Sequence, residues 1–137
     1  MTKVLNLETA TFDVGHAKYA AGFQVSLDAI VLYIQSNFKD GSYIAKSVKD
    51  LALVTIDLED YPANTGGNPP GPGEIYLWQG MVSSQGKSRI LLAENVKKAY
   101  ALVMGQCSPE LISKIKGSNN FPAAEQACDV IALLKII

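Results

Sequence analysis

The amino-acid sequence predicts an all-α fold, a bundle of about five or six helices, given the helix sizes typical of globular proteins. Residues 89–117 carry the clearest signal, because apolar residues recur there every three or four positions and a proline-started turn divides two such stretches. Much of the remaining chain repeats this spacing. A chain of 137 residues, 48% of them apolar, can enclose one sizeable core, so we expect a single domain over residues 1–137.

The first part of the chain is expected to hold an arm followed by one or two helices. Residues 3–14 alternate loosely and contain β-branched side chains, which predicts a short extended arm or strand that ends at Gly15. Residues 16–38 carry a helical pattern, in which Gly22 is a candidate break and Ser26 a candidate cap for a second helix. The apolar residues of this pattern are Tyr19, Phe23, Leu27, Ile30, Val31 and Ile34.

A turn and a short amphipathic helix are predicted next. Asp40, Gly41 and Ser42 are residue types that favour turns. The helix that follows is expected to end near Leu53, because its apolar residues share one face while lysines and an aspartate occupy the other. The apolar residues are Ile44, Val48, Leu51 and Ala52.

A proline-rich loop separates this region from the longest helical pattern. Residues 61–73 (YPANTGGNPPGPG) contain most of the prolines, which predicts a flexible loop, because such a composition neither propagates a helix nor pairs as a central strand. Its length exceeds that of common loops, so it is either disordered or a functional excursion. Beyond it, a helix is expected to begin near Ile75 and to continue, with a break at Gly86, into residues 92–104.

The last part of the chain is predicted to hold a turn and two further helices. Cys107, Ser108 and Pro109 form the turn, since a serine suits the N-cap and a proline suits the first helical position. Gly117 is expected to close this helix in the left-handed conformation. Residues 121–137 read as one final helix, and because the sequence finishes LLKII without a cap, we expect the native chain to continue. Its apolar stripe is Ala127, Val130, Ile131, Leu134 and Ile137.

Residues 86–88 (GKS) resemble the end of a phosphate-binding loop, but the spacing fails. The motif requires a glycine with four residues between it and this triplet, and position 81 is methionine, while Gly80 leaves five residues between. A solvated helix break is the favoured interpretation. His16 has no serine, cysteine or aspartate partner at a catalytic spacing, so we expect no catalytic role for it.

The cysteines and acidic residues do not form a recognisable catalytic or metal site. Cys107 could be activated by the adjacent helix start, but packing as a small apolar residue is favoured. Together with Cys128 and one histidine, it cannot complete a four-ligand zinc site. Asp57, Glu59 and Asp60 are read as a solvated cluster, because no calcium-binding loop pattern follows them. We therefore expect no catalytic residues, no metal, no cofactor and no small-molecule substrate.

Charge and hydropathy narrow the possible partners. The net charge of −1, from 12 basic and 13 acidic residues, lacks the basic field that binds nucleic acid directly. Two separated cysteines and the lack of an apolar leader at the start predict a cytoplasmic protein with reduced thiols. The longest apolar runs are much shorter than the roughly 20 residues of a membrane span, so no membrane partner is expected.

Large side chains on the predicted apolar helix faces are the expected core residues. These are Trp78, Tyr100, Val103, Leu111, Ile115, Ile131 and Leu134. Aromatic rings most often anchor cores. The alternative is that one of these rings lies on an exposed patch used for self-association, because aromatic residues are enriched at the centres of interfaces.

Five short elements occur in a characteristic order along the chain. They are residues 11–15 (TFDVG) followed by Tyr19, then Trp78, residues 93–103 (AENVKKAYALV), residues 105–111 (GQCSPEL) with Ile115, and residues 129–134 (DVIALL). This order and spacing resembles the Gag-like capsid region of copia-type LTR retrotransposons. The resemblance covers most of the chain from Thr11 onward and is best between Trp78 and Leu134.

The resemblance implies a helical, non-enzymatic shell protein whose copies associate into a particle around the RNA of the element. It also implies that RNA is bound only indirectly, through a zinc knuckle that these residues do not contain. Many weak copies of one small apolar contact would stabilise such a lattice. The alternative is a small helical adaptor that binds a partner peptide in a groove without forming particles.

Overall fold

The structure, a computed structural model, describes residues 11–13 and 20–137, and these residues contain six α-helices. The helices are α1 (Ala20–Asn37), α2 (Ser42–Asp50), α3 (Pro72–Gly105), α4 (Pro109–Lys116), α5 (Phe121–Ala127) and α6 (Val130–Ile136). Outside the helices, the described residues pair only in isolated bridges, between Phe12 and Cys107 and between Thr65 and Asn68. The predicted all-α bundle of about five or six helices is confirmed.

Part of the expected N-terminal arm pairs with the turn between α3 and α4. The Phe12 N–H donates to the Gln106 carbonyl oxygen at 2.8 Å, and the Ser108 N–H donates to the Phe12 carbonyl oxygen at 2.9 Å. The Phe12 side chain is buried, with its ring 5.6 Å from the ring of Phe23. Residues 3–10 and 14 of the expected arm, together with Gly15, His16 and Tyr19, lie outside the described residues.

The chain divides into two compact units. Unit 1 consists of Met1–Val54 and Leu92–Ile137, and unit 2 consists of Thr55–Leu91. Residues 72–91 of α3 belong to unit 2 and residues 92–105 belong to unit 1. The single domain expected over residues 1–137 stays a prediction.

Unit 1 contains a closely packed apolar core. Within it, α1 packs on α2, α2 on α6, α6 on α5, and α5 on α4. Removal of apolar side chains from water is the main stabilising contribution to such a core. The largest apolar side chains that are almost completely buried are Phe12, Ile30, Ile34, Ile44, Val48, Val103, Ile115, Val130, Leu133 and Leu134.

The turn predicted over residues 40–42 is confirmed at Asp40 and Gly41, whereas Ser42 already begins α2. Asp40 adopts a φ of 52°, and Gly41 is required because a Cβ there would lie 2.8 Å from the Ile34 carbonyl oxygen. The side-chain amide of Asn95, buried on α3, donates to the Lys39 carbonyl oxygen at 3.0 Å. This bond satisfies a turn carbonyl and fixes the turn against α3.

The expected helix breaks at Gly22 and Gly86 are wrong, because α1 and α3 run without interruption through both residues. A glycine inside a helix costs only about 0.5–1 kcal/mol relative to alanine, which packing and the flanking helix formers can offset. Ser26 does not cap a second helix. It lies within α1, and its hydroxyl donates to the Thr11 carbonyl oxygen at 2.7 Å.

α4 begins as predicted but ends differently. The Ser108 hydroxyl accepts a hydrogen bond from the Leu111 N–H at 3.2 Å, and Pro109 is the first helical residue. The expected left-handed Gly117 is wrong, because its φ is −82°. The Gly117 N–H instead bonds to the Lys114 carbonyl oxygen at 3.2 Å, so a tight turn satisfies the end of the helix.

The single final helix expected over residues 121–137 is also wrong, because α5 and α6 divide this stretch. Cys128 takes a left-handed conformation with a φ of 51° and ends α5. Asp129 then caps α6, since its Oδ1 accepts hydrogen bonds from the N–H groups of Ile131 and Ala132, both at 3.1 Å. The break lets two short apolar faces turn separately into the core of unit 1.

The loop predicted over residues 61–73 ends two residues earlier, at Gly71, because Pro72 already starts α3. Within the loop, Thr65 and Asn68 exchange two backbone hydrogen bonds of 2.9 Å. The two glycines between them have φ values of 57° and 81°, which an L-residue with a Cβ rarely adopts. This part of the loop is therefore a defined tight turn.

Candidate functional site

In unit 2, an extended segment is fastened to one face of α3. The indole N–H of Trp78 donates to the Glu59 carbonyl oxygen at 2.9 Å, and the Glu59 N–H donates to Gln85 Oε1 at 2.7 Å. Further along, the Arg89 Nε–H donates to the Ile56 carbonyl oxygen at 2.6 Å. These side chains lie seven and four residues apart, so they share one face of the helix. That face is occupied by the chain's own backbone.

An aromatic contact reinforces the same side of α3. The rings of Tyr61 and Trp78 meet edge to face, with centroids 5.0 Å apart and an interplanar angle of 76°. Trp78 is half-buried rather than enclosed, and Tyr61 remains exposed. The small core of unit 2 is thus formed by the segment that precedes the helix.

Another face of α3 in unit 2 carries large apolar side chains on the surface. Tyr76 is 76% exposed, Leu77 67% and Met81 45%. With Gly80 and Ser84 they border a shallow groove of about 520 Å³. Exposed apolar residues are ordinary when scattered, but a contiguous group on one helix face is typical of an interaction surface.

The middle of this surface is lined by small residues. Leu77, Gly80 and Ser84 follow one another at intervals of three and four residues, so they lie along one helix face. A Cβ built at Gly80 meets no other atom within 4 Å. The chain's own packing therefore does not require a glycine here, although glycine weakens the helix. We refer to Tyr76, Leu77, Gly80, Met81 and Ser84 as the α3 face.

A second open surface lies in unit 1, between α4 and α6. It is a groove of about 650 Å³. Leu111, Ile115 and Ile136 supply apolar surface, and Lys114 and Lys135 supply positive charge. No carboxylate is among the residues that line it. We refer to this surface as the α4–α6 groove.

The residues weighed for chemistry do not converge on a reactive centre. Burial raises the pKa of the Cys107 thiol to about 11, and its Sγ lies 3.2 Å from the Val103 carbonyl oxygen, an arrangement that favours packing over nucleophilic reactivity. Residues 86–88 lie inside the continuous helix α3 rather than in a phosphate-binding loop. His16 lies outside the described residues. Within residues 11–13 and 20–137, no three histidine, cysteine, aspartate or glutamate side chains form a group that could hold a metal ion.

The expected core residues fall into two groups. Five are buried in unit 1: Val103, Leu111, Ile115, Ile131 and Leu134. Trp78 and Tyr100 are half-buried, and desolvation raises the pKa of the Tyr100 hydroxyl. Cys107, Ser108 and Pro109 form the junction of α3 and α4, as predicted. The exposure of Leu77 and Met81 does not follow from the sequence, which predicts only that a helix begins near Ile75. The one local hint is Gly80, which lies between them.

Comparisons with family models, with curated proteins and with solved structures find no match. The helices among the described residues are each too short or too polar to cross a lipid bilayer. Among the described residues, the α3 face and the α4–α6 groove are the candidate binding surfaces.

Proposed function

We propose that this chain is a structural, self-assembling protein, a Gag-like capsid protein of a copia-type retrotransposon. Its copies would form a particle in the cytoplasm around the RNA of the element. The chain would act without catalysis, cofactor or small-molecule substrate, and it would meet RNA only through another region of the polyprotein. The order of the motifs and the all-α fold support this proposal.

The exposed α3 face is the observation that carries self-association. Fully burying one leucine or methionine contributes roughly 1.5–3 kcal/mol, and an unpartnered face forgoes this contribution. Gly80 removes the side chain that would keep a second helix at a distance, much as small residues do where helices pack closely. A surface with this composition is suited to contact with another helix.

A second copy of the same chain fits this face. Leu77 precedes Gly80 by three residues, and Ser84 follows it by four. If two copies cross antiparallel near Gly80, each Leu77 lies over the small residues of the other copy. Such self-complementarity is what a two-fold symmetric contact requires. The contact is small, so its affinity is expected to be weak in isolation and to become effective through repetition.

Sedimentation velocity and light scattering over a range of protein concentrations test this proposal. The wild-type chain is expected to form dimers and then larger species as concentration rises, and Leu77→Ser is expected to lose the dimer formed through the α3 face. Leu32→Ser is the matched control, because Leu32 is a 48% exposed leucine on α1 in unit 1. A wild-type chain that stays monomeric at every concentration would contradict the proposal.

The α4–α6 groove supports a second candidate function, a helical adaptor that binds a partner peptide. Its combination of apolar lining and lysines suits an acidic amphipathic ligand. The same sedimentation and light-scattering experiment distinguishes the two functions. An adaptor would stay monomeric at high concentration and would bind an acidic peptide with affinity that falls when Lys114 is changed to Glu.

A further inference from the structure

We propose that the α4–α6 groove of one copy binds residues 57–60 (DLED) of a second copy, forming a head-to-tail contact distinct from the α3 face. This inference rests on the proposed self-assembly and adds the contact through which assembly grows. A two-fold contact through the α3 face alone closes as a dimer, because each copy uses the same surface. Growth requires a second and different contact.

The groove offers positive charge that no carboxylate of the described residues pairs with. Lys114 and Lys135 lie on α4 and α6, and both are exposed. Within the described part of the chain, the ion pair found is between Lys46 and Asp50, at 2.9 Å, and it involves neither groove lysine. A groove with two cations and no carboxylate favours an acidic occupant.

Residues 57–60 have the matching composition. Asp57, Glu59 and Asp60 are all exposed, and Leu58 between them is 40% exposed. The backbone of Glu59 is held by Trp78 and Gln85, so the segment is presented in one conformation. Holding the segment in place beforehand lowers the entropic cost of binding.

Charge complementarity selects this pairing over a generic apolar contact. Carboxylates of the segment meet the lysines, while Leu58 meets the apolar lining supplied by Ile136 and its neighbours. Exposed ion pairs contribute little each, so the contact is weak and sensitive to salt. Weak contacts of this kind allow a lattice to correct itself as it grows, because each contact can reopen.

The contact is heterologous, because each copy uses its α4–α6 groove towards one neighbour and its residues 57–60 towards another. Such contacts continue from copy to copy and form a ring where the rotation between neighbours closes, or an open filament where it does not. Combined with the two-fold contact at the α3 face, they link dimers into extended assemblies. Neither contact alone would produce a particle.

Charge reversal on the two surfaces tests the pairing. One variant carries Lys114→Glu and Lys135→Glu, and the other carries Asp57→Lys and Asp60→Lys. Each variant alone is expected to stop at the dimer, with the concentration for half-assembly raised by about tenfold or more. An equal mixture of the two is expected to restore large assemblies, because each groove then meets a segment of opposite charge on the other variant.

Controls separate this result from general effects of charge. Lys97→Glu with Lys98→Glu changes the net charge equally on an exposed part of α3 and is expected to assemble like the wild type. A single chain carrying all four reversals is expected to assemble alone. Circular dichroism of each variant shows whether the helices remain folded.

Three results would overturn the inference. If wild type and both charge-reversed variants assemble alike, self-assembly stands and this pairing is wrong. If the mixture of folded variants fails to restore assembly, or if the Lys97 and Lys98 control loses it equally, the pairing is also wrong. If the wild-type chain never associates, the proposed function fails as well, and the inference fails with it.

Discussion

Unit 1 encloses its apolar side chains, whereas unit 2 leaves most of its large ones at the surface. Unit 2 spans only Thr55–Leu91, yet it holds six of the nine large apolar residues that are exposed in the described chain. These six are Leu58, Tyr61, Tyr76, Leu77, Met81 and Ile90. The one apolar residue of unit 2 counted among the buried core of the described chain is Ile56.

This difference indicates two uses of the same kind of side chain. In unit 1, burial stabilises the fold, and removal of a buried group leaves a cavity. In unit 2, the helix is held by hydrogen bonds from Trp78, Gln85 and Arg89 to the preceding segment, which leaves another face open. Mutations of the buried residues of unit 1 should therefore lower stability, whereas mutations of the exposed α3 face in unit 2 should change association.

The largest expected effect is on the stability of unit 1. Ile34→Ala removes three carbons from a fully buried position and is expected to lower the free energy of unfolding by about 2–5 kcal/mol. Leu32→Ala on the same helix, at a half-exposed position, should cost less than about 1 kcal/mol. Urea unfolding followed by circular dichroism gives both values, and equal losses would contradict the contrast between buried and exposed faces of α1.

Burial of Cys107 in unit 1 is also expected to lower the reactivity of its thiol. With its pKa raised from 9.0 to about 11, Cys107 carries roughly a hundredfold less thiolate at pH 8 than an unshifted thiol. Iodoacetamide should therefore label the half-buried Cys128 first in the native protein. Mass spectrometry of the labelled peptides measures this order, and rapid labelling of Cys107 would show that the site opens.

The same shift predicts a loss of stability at alkaline pH. The folded state raises the pKa of the Cys107 thiol. The contribution of this thiol to the free energy of unfolding is therefore complete below pH 9.0 and is lost as the pH rises towards about 11. Cys107→Ala should reduce this decline in urea unfolding measured from pH 8 upward. Part of the decline should persist, because the pKa of Tyr100 is also raised.

A smaller effect is expected where a single side chain starts a helix. Asp129→Ala removes the acceptor of two N–H groups at the start of α6 and should cost about 1 kcal/mol. Asp129→Asn is the matched control, because it keeps a side-chain oxygen in the same place. Thermal unfolding compares them, and a loss as large for asparagine as for alanine would show that the charge, rather than the hydrogen bonds, stabilises this end.

The sequence predicted the features that depend on neighbouring residues. Ser108 and Pro109 start α4 as expected, and the turn at Asp40 and Gly41 lies where its residue types place it. The left-handed Cys128 that separates α5 from α6 has no such local signal, since cysteine does not favour that conformation. The local indication of the break is Asp129, a residue type preferred at N-caps, which follows Cys128 and caps α6.

The exposure of the candidate surfaces could not be predicted from neighbouring residues, for a related reason. Whether Leu77 and Met81 are covered depends on which face of α3 receives the preceding segment. That choice is made by Trp78 and Arg89, which bond to backbone 19 and 33 residues earlier in the chain. Helical spacing shows that a face is apolar, but it does not show what covers it.

The effect of one methyl group on α3 tests the central claim most directly. Gly80→Ala should stabilise the helix by about 0.5–1 kcal/mol, because nothing lies within 4 Å of the new Cβ, yet it should weaken self-association by obstructing a second helix. Gly86→Ala is the matched control, since its Cβ is equally unobstructed but points about 120° away around the helix. It should stabilise the helix and leave association unchanged.

Sedimentation equilibrium of the wild type and the two variants provides the measurement. The predicted result is an association constant for dimerisation that falls by about tenfold in Gly80→Ala and stays at the wild-type value in Gly86→Ala. In both variants α3 is expected to be more stable than in the wild type. If Gly80→Ala associates as strongly as the wild type, the α3 face is not where two copies of this chain meet.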